Sequence, residues 1–93
     1  MIFKRGLDDT MNQEQGLLSR IATGDVFEHY SGKKYKVAGI FRHSEDLTLY
    51  VAYTGLYEDK SGYGTQWIRP LTMFLEEVVI NGMRQPRFKK LEN

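Results

Sequence analysis

Hydrophobic and polar positions along the chain change their period after residue 23. Within residues 1–23, the apolar positions have the spacing of one face of a short helix: Met11, Leu17, Leu18 and Ile21. Beyond this point, short alternating segments are separated by turn-forming residues, which is typical of β-strands. The sequence therefore predicts an N-terminal extension over residues 1–23 and one β domain over residues 24–93.

The start of the short helix is predicted at Thr10. Thr10 and Gln13 are three residues apart, which is the spacing of a capping box at a helix N-terminus. Met11 is an alternative start of the protein, with residues 1–10 as a preceding segment. The change in composition after residue 23 indicates that the extension is dispensable for folding of the domain.

Six segments of the domain have the composition of β-strands, and they cover residues 25–30, 35–41, 47–56, 66–69, 78–80 and 83–85. The last two flank Asn81-Gly82, a pair that supplies the positive φ angles of a two-residue hairpin turn. Residues 58–64 have the composition of a loop, and residues 71–74 that of a single helical turn. Many short strands without a long helix favour a mainly β fold, a small SH3-like antiparallel barrel.

The core of this barrel is expected to come from large apolar side chains on the inner face of the strands. These are Tyr35, Val37, Phe41, Val51, Trp67 and Phe74. Gly39 interrupts the second strand, and a glycine inside a strand indicates a β-bulge or a close approach of another group. Residues 47–56 are apolar on both faces and are therefore predicted to be the central strand.

Composition narrows the functional classes. Thirteen basic and twelve acidic residues leave a formal charge of +1, so the whole chain lacks the basic excess of a dedicated nucleic-acid binder. The local cluster Lys33, Lys34 and Lys36 is interpreted as a solvated face. Absence of cysteine excludes disulfides and thiol nucleophiles and fits a cytoplasmic location. No apolar run is long enough to cross a membrane, and we expect no membrane association.

Several motifs of the domain resemble one known family. They are residues 24–32 (GDVFEHYSG), 42–45 (RHSE), 67–70 (WIRP), 73–74 (MF) and 86–88 (PRF). In order and spacing they are similar to the bacterial domain-of-unknown-function family 1653, over residues 24–88. The resemblance implies an SH3-type β-barrel and implies no activity. Residues 1–23 lie outside it.

The two histidines are candidates for chemistry. With Glu45, His29 and His43 could serve a small metal-assisted or acid–base hydrolase. Their spacing matches no known ligand pair, so we expect neither a metal site nor a cofactor. His43 and Glu45 flank Ser44, but neighbouring side chains on an extended chain point to opposite faces, which disfavours a nucleophilic triad.

The leading hypothesis is a binding module, because small barrels commonly bind ligands on an aromatic face with basic residues at the rim. The ligand would be a peptide, a nucleotide or a single-stranded nucleic acid. The hydrolase is the second hypothesis, and the third is an accessory protein that acts by docking to a partner. If a ligand site exists, we expect it to contain His29, Arg42, His43, Glu45, Tyr53 and Arg69.

Arg69 is the most informative member of this set. It lies between the strand residue Ile68 and Pro70, where a long planar donor can pair with a carboxylate or a ligand. The structural alternative is an ion pair with Glu28 or Glu45 that joins two strands. The sequence leaves both interpretations open.

Overall fold

The structure, a computed structural model, describes residues 13–92. Residues 13–18 are helical (α1), and a single helical turn, α2, spans Leu71–Phe74. The strands are β1 (Val26–His29), β2 (Lys34–Arg42), β3 (Leu49–Gly55), β4 (Glu58–Asp59), β5 (Gly62–Tyr63), β6 (Gln66–Pro70), β7 (Glu77–Ile80), β8 (Met83–Pro86) and β9 (Phe88–Lys90). None of the helices in this part of the chain is long and apolar enough to cross a membrane.

Five strands form one antiparallel sheet in the order β6-β3-β2-β1-β9, and the β4–β5 and β7–β8 hairpins are separate two-stranded sheets. The sheet is curled, and the curl brings Arg69 of the edge strand β6 over the ring of Phe88 of the other edge strand, β9. The prediction of a mainly β, antiparallel domain is confirmed. The described edge strands β6 and β9 are not hydrogen-bonded to each other, so the curled sheet is not a closed barrel, and the SH3-like assignment stays a prediction.

A β-bulge in β2 decides which side chains face the core. Val37 pairs with Tyr53, but Gly39 pairs with the adjacent Ala52, so Ala38 is the extra residue. Side-chain alternation therefore shifts by one, and Phe41 points to the outer face of the sheet. The prediction that Phe41 is buried is wrong, since its side chain is 60% exposed.

The core consists of side chains from the inner face of the sheet and from α2. Val37, Val51 and Phe74 are buried as predicted, and Phe74 stacks on Phe88 with ring centroids 4.0 Å apart. Trp67 was expected in this core, but it is 43% exposed. It lies on the edge strand β6, where only one neighbouring strand covers it.

The segment that precedes β1 packs against this core. Ile21 is buried, and Leu17 and Leu18 contact the core cluster. Arg20 donates from Nη2 to the carbonyl oxygen of Leu75 at 3.2 Å. Residues 17–21 therefore add apolar burial upstream of the predicted domain boundary, although the dispensability of residues 1–23 remains a prediction. The predicted cap at Thr10, the start at Met11 and residues 1–10 lie outside the described residues.

The hairpin predicted at Asn81-Gly82 is confirmed as β7–β8, with φ angles of 54° and 79° at the two turn residues. Residues 58–64, which were predicted to be a loop, contain the short β4–β5 hairpin. Strand β9 was not predicted from the alternation pattern, because three residues are too few to show a period.

Candidate functional site: an arginine–aromatic seam

The two edges of the curled sheet meet at a group of side chains that we call the seam. It consists of His29 from β1, Tyr53 from β3, Arg69 from β6 and Phe88 from β9. Antiparallel pairing places Arg69 opposite Val51, and Val51 is fully buried, so Arg69 extends from the inner face of the sheet. Four strands that are distant in sequence thus bring their side chains together.

Arg69 is half-buried and contacts neutral groups. Its Nε donates a hydrogen bond to the hydroxyl of Tyr53 at 3.2 Å, and its guanidinium carbon lies 5.8 Å from the centroid of the Phe88 ring. None of the ion pairs formed within residues 13–92 includes Arg69. The expected structural pair with Glu28 or Glu45 is therefore not formed.

His29 is a neutral imidazole in this environment. Burial, followed by the positive charges of Arg69 and Arg87, lowers the pKa of His29 below its ordinary value of 6.5. The backbone amide of Ser31 donates to Nδ1 at 3.1 Å, which places the ring proton on Nε2. The ring also packs edge-on against Phe88, with centroids 4.9 Å apart.

Two further tyrosines extend the aromatic wall of the seam. Tyr35 packs edge-on against Tyr53, and its hydroxyl is 2.8 Å from that of Tyr57. Burial, together with the hydrogen bond to Tyr57, raises the pKa of Tyr35, so this phenol stays neutral. Beyond Tyr57 lies an open cavity of about 300 Å³, which the exposed ring of Trp67 also lines.

Arg87 is the second cation close to His29, and it differs from Arg69 in having a carboxylate partner. Its Nη2 forms a hydrogen-bonded ion pair with Glu76, and its backbone amide donates to the carbonyl oxygen of Glu76 at 3.0 Å. Its Nε is buried and has no partner among residues 13–92. The pair satisfies most of the charge of Arg87, which leaves Arg69 as the unneutralised cation of the seam.

A second open cavity, of about 460 Å³, lies beside His29. Tyr30, Gln85 and Lys89 also line it. It gives the imidazole a solvent-accessible side, where Lys89 and its cross-strand partner Glu28 contribute opposite charges. The seam is thus flanked by two cavities, one at His29 and one at Tyr57.

The other predicted site residues form a separate group, which we call the turn group: Arg42, His43 and Glu45. Arg42 donates from Nη1 to the carbonyl oxygen of Leu47 at 2.7 Å and contacts the Glu14 carboxylate at 3.3 Å. The amide of Glu45 donates to Nδ1 of His43 at 3.1 Å. The turn group therefore satisfies its polar atoms with the turn itself and with α1.

Nearby, the Thr48 amide donates to the Asp46 carboxylate, and this hydrogen bond lowers the pKa of Asp46. No hydrogen bond, ion pair or ring contact within residues 13–92 joins the turn group to the seam. The structure therefore brings together His29, Tyr53 and Arg69 and leaves the other three predicted residues apart.

Reasoning from single residues missed Phe88, Tyr35 and Arg87 as members of this neighbourhood. Two of them follow Pro86 in the PRF motif, and that motif was the available signal. Their position against Arg69 depends on the curl of the sheet, which no local pattern shows.

The arrangement can hold an anion but offers little to a metal ion. A half-buried guanidinium and the Nε2 proton of a neutral imidazole are both donors. Across residues 13–92, no group of three His, Cys, Asp or Glu side chains is placed to hold a metal ion.

The fold and this site define a small, mainly antiparallel β domain with a cationic aromatic seam. Residues 25–90 match the family described as a protein of unknown function, DUF1653, and the chain belongs to that family. A crystal structure of a DUF1653 protein from Bordetella bronchiseptica is similar, with 31% identity and a TM-score of 0.64. The match covers 76% of this chain and 87% of that one. Among proteins with curated descriptions, none matches the chain.

Proposed function

We propose that this domain is a binding module in the cytoplasm and that Arg69 binds an oxyanion of its ligand. The oxyanion is a phosphate or carboxylate, as carried by a nucleotide or by a peptide. Both groups present planar or tetrahedral oxygen acceptors that suit the donors of a guanidinium.

The proposal rests on one observation: within residues 13–92, Arg69 forms no ion pair with a carboxylate. Withdrawing a guanidinium from water costs free energy that one phenol hydroxyl and one ring face offset only in part. A ligand oxyanion would complete the hydrogen bonding of the guanidinium. The neighbouring pair of Arg87 with Glu76 shows how the same chain neutralises an arginine that needs no ligand.

Among the aromatic side chains of the seam, His29 is the one that a planar ring of a ligand can reach. Tyr53 and Phe88 are buried, so they hold Arg69 from the core side, whereas the half-buried imidazole of His29 can pack against a heteroaromatic group. His29 is neutral near pH 7, so it adds a donor at Nε2 without adding to the repulsion between cations.

The hydrolase that would use His29, His43 and Glu45 gains no support from this geometry. His29 belongs to the seam, whereas His43 lies in the turn group, where its Nδ1 accepts from the backbone amide of Glu45 and not from a side chain of that residue. Acid–base chemistry needs its two groups within reach of one reacting bond.

The proposal is tested by isothermal titration with inorganic phosphate, acetate and adenosine monophosphate as probes. We expect the wild-type protein to bind at least one of them and Arg69→Met to lose that binding, because methionine keeps the length of the side chain without its charge. Arg42→Met is the matched control, since it removes an arginine of the turn group, and it should bind as the wild type does.

Equal binding by wild type and Arg69→Met would contradict the proposal. Binding that Arg42→Met abolishes and Arg69→Met preserves would place the oxyanion site in the turn group. Circular dichroism of each variant checks that the fold is intact.

A further inference from the structure

The outer face of the five-stranded sheet carries an apolar surface that we call the outer patch: Phe41, Tyr50, Ala52 and Ile68. Phe41 is 60% exposed and Ile68 is 70% exposed. Phe41 pairs with Tyr50 across β2 and β3, and Ala52 pairs with Ile68 across β3 and β6. The four side chains therefore form one continuous surface over three neighbouring strands.

The bulge in β2 creates this surface and fixes its main aromatic ring. If Ala38 were paired regularly and β2 had no bulge, the alternation would keep Phe41 on the inner face with Val37. Gly39 then leaves room for the ring, because Cε2 of Phe41 lies 2.7 Å from the place that a Cβ on Gly39 would occupy. Phe41 is thus held against the sheet, although most of its side chain is exposed to solvent.

Lysines lie on the same outer face, next to the outer patch. Lys34 and Lys89 are the two cross-strand neighbours of Glu28, and Lys36 pairs with Thr54 one row closer to the patch. None of these three lysines takes part in an ion pair within residues 13–92, whereas Lys90 pairs with Asp25 at 3.2 Å. Glu28 offsets one of the three charges, which leaves the lysine rows positive.

We propose that this outer face binds single-stranded nucleic acid. Bases stack on Phe41 and Tyr50, and Lys34, Lys36 and Lys89 contact the phosphates. Aromatic side chains on an open sheet next to unpaired lysines match a chain that alternates flat bases with negative charges. The outer patch lies on the opposite face of the sheet from the seam, so this proposal is independent of the oxyanion site at Arg69.

The test is fluorescence anisotropy with a labelled oligo-dT of about ten nucleotides, a length within the usual site size of small β domains. Three phosphate contacts predict a salt slope of about −2 in log K against log salt concentration. Phe41→Ala should weaken binding about tenfold, the effect of losing one stacked base. Met83→Ala is the matched control, because Met83 is 69% exposed on the β7–β8 hairpin, and it should bind as the wild type does.

A second variant, Lys36→Gln, should flatten the salt slope, whereas Lys60→Gln, outside the outer face, should leave it unchanged. Failure of the wild type to bind the oligonucleotide at low salt would overturn the proposal. So would full binding by Phe41→Ala, or competition by an oligoglutamate peptide that equals unlabelled oligo-dT. If Arg69→Met abolished binding and Phe41→Ala did not, the nucleic acid would lie in the seam and the outer face would carry no site.

Discussion

The seam and the turn group each contain an arginine and a histidine, but in the part of the chain that the structure describes the arginine has a carboxylate partner only in the turn group. In the turn group, Arg42 is exposed and bonds to a backbone carbonyl and to Glu14, and the His43 ring accepts a backbone amide. In the seam, Arg69 is half-buried, its side chain hydrogen-bonds to a phenol and lies over an aromatic ring, and it forms no ion pair within residues 13–92. The turn group forms its hydrogen bonds and ion pair within the turn and with α1. The seam, which is assembled from four strands, retains a cation that no carboxylate of the described residues neutralises.

This difference shows why closeness in sequence was a poor guide to the site. Residues 42–45 stand side by side and combine a cation, an imidazole and a carboxylate, but they stabilise a turn. Arg69 has no such neighbours in sequence, and its surroundings come from β1, β3 and β9.

The largest expected effect is the difference in stability between a substitution in the seam and one on the outer face. Phe88→Ala should lower the free energy of unfolding by about 3–5 kcal/mol, because the ring is buried and stacks on Phe74. Phe41→Ala, on the exposed outer face, should cost less than about 1 kcal/mol. Urea denaturation followed by circular dichroism measures both values. Equal losses in the two variants would show that the outer ring belongs to the core.

A smaller effect is expected where the hydroxyl of Tyr53 is removed. Tyr53→Phe takes away the hydrogen bond that Arg69 donates, and it should cost about 1–2 kcal/mol because the cation is half-buried. Arg42→Met removes an exposed pair with Glu14 and an exposed hydrogen bond to the Leu47 carbonyl oxygen, and it should cost less, at most about 1 kcal/mol. Denaturant midpoints of the two variants decide the order. A reversed order would remove the contrast between the seam and the turn group.

The seam and the turn should lose stability in different pH ranges, because His29 and Asp46 titrate in different ranges. The folded pKa of His29 lies below 6.5, so the unfolded chain binds its proton first as the pH falls. Stability that is present above pH 6.5 is therefore lost as the pH falls from that value toward the folded pKa. His29→Gln should remove this slope in a series of thermal melts. A slope that persists unchanged in the variant would contradict the buried, neutral imidazole.

The smallest effect belongs to Asp46 in the turn. Its folded pKa lies below 3.8, so its contribution is present above pH 3.8 and is lost as the pH falls through the folded pKa. Asp46→Asn should flatten only this acid part of the stability curve. Thermal melts of both variants over one pH range test whether the two windows are distinct.

Local patterns predicted most of the fold. Asn81-Gly82 specified its hairpin because few residue pairs supply two positive φ angles, and Gly39 indicated the bulge. The consequence of the bulge was missed: a shift of one residue carried Phe41 to the opposite face. Trp67 was also misplaced, because its exposure depends on its lying on an edge strand, and strand order is not a local property.

The candidate site could be predicted only in part. Arg69, Tyr53 and His29 were chosen for their chemistry, and the curled sheet places them together. Their meeting point depends on contacts between β6 and β9, the first and last strands in the sheet order. Residue type identifies which side chains can bind an anion, whereas the curl of the sheet decides which of them meet.

The most direct measurement of the central claim is the side-chain Nε–H resonance of Arg69 in a ¹H–¹⁵N spectrum during a titration with inorganic phosphate. If Arg69 binds the oxyanion, this resonance shifts in a saturable way, together with the backbone amides of Tyr53 and Phe88. The Nε–H resonances of Arg42 and Arg84, which pair with Glu14 and Glu77, stay in place. Shifts at Arg42 or Arg84 with none at Arg69 would contradict oxyanion binding at Arg69.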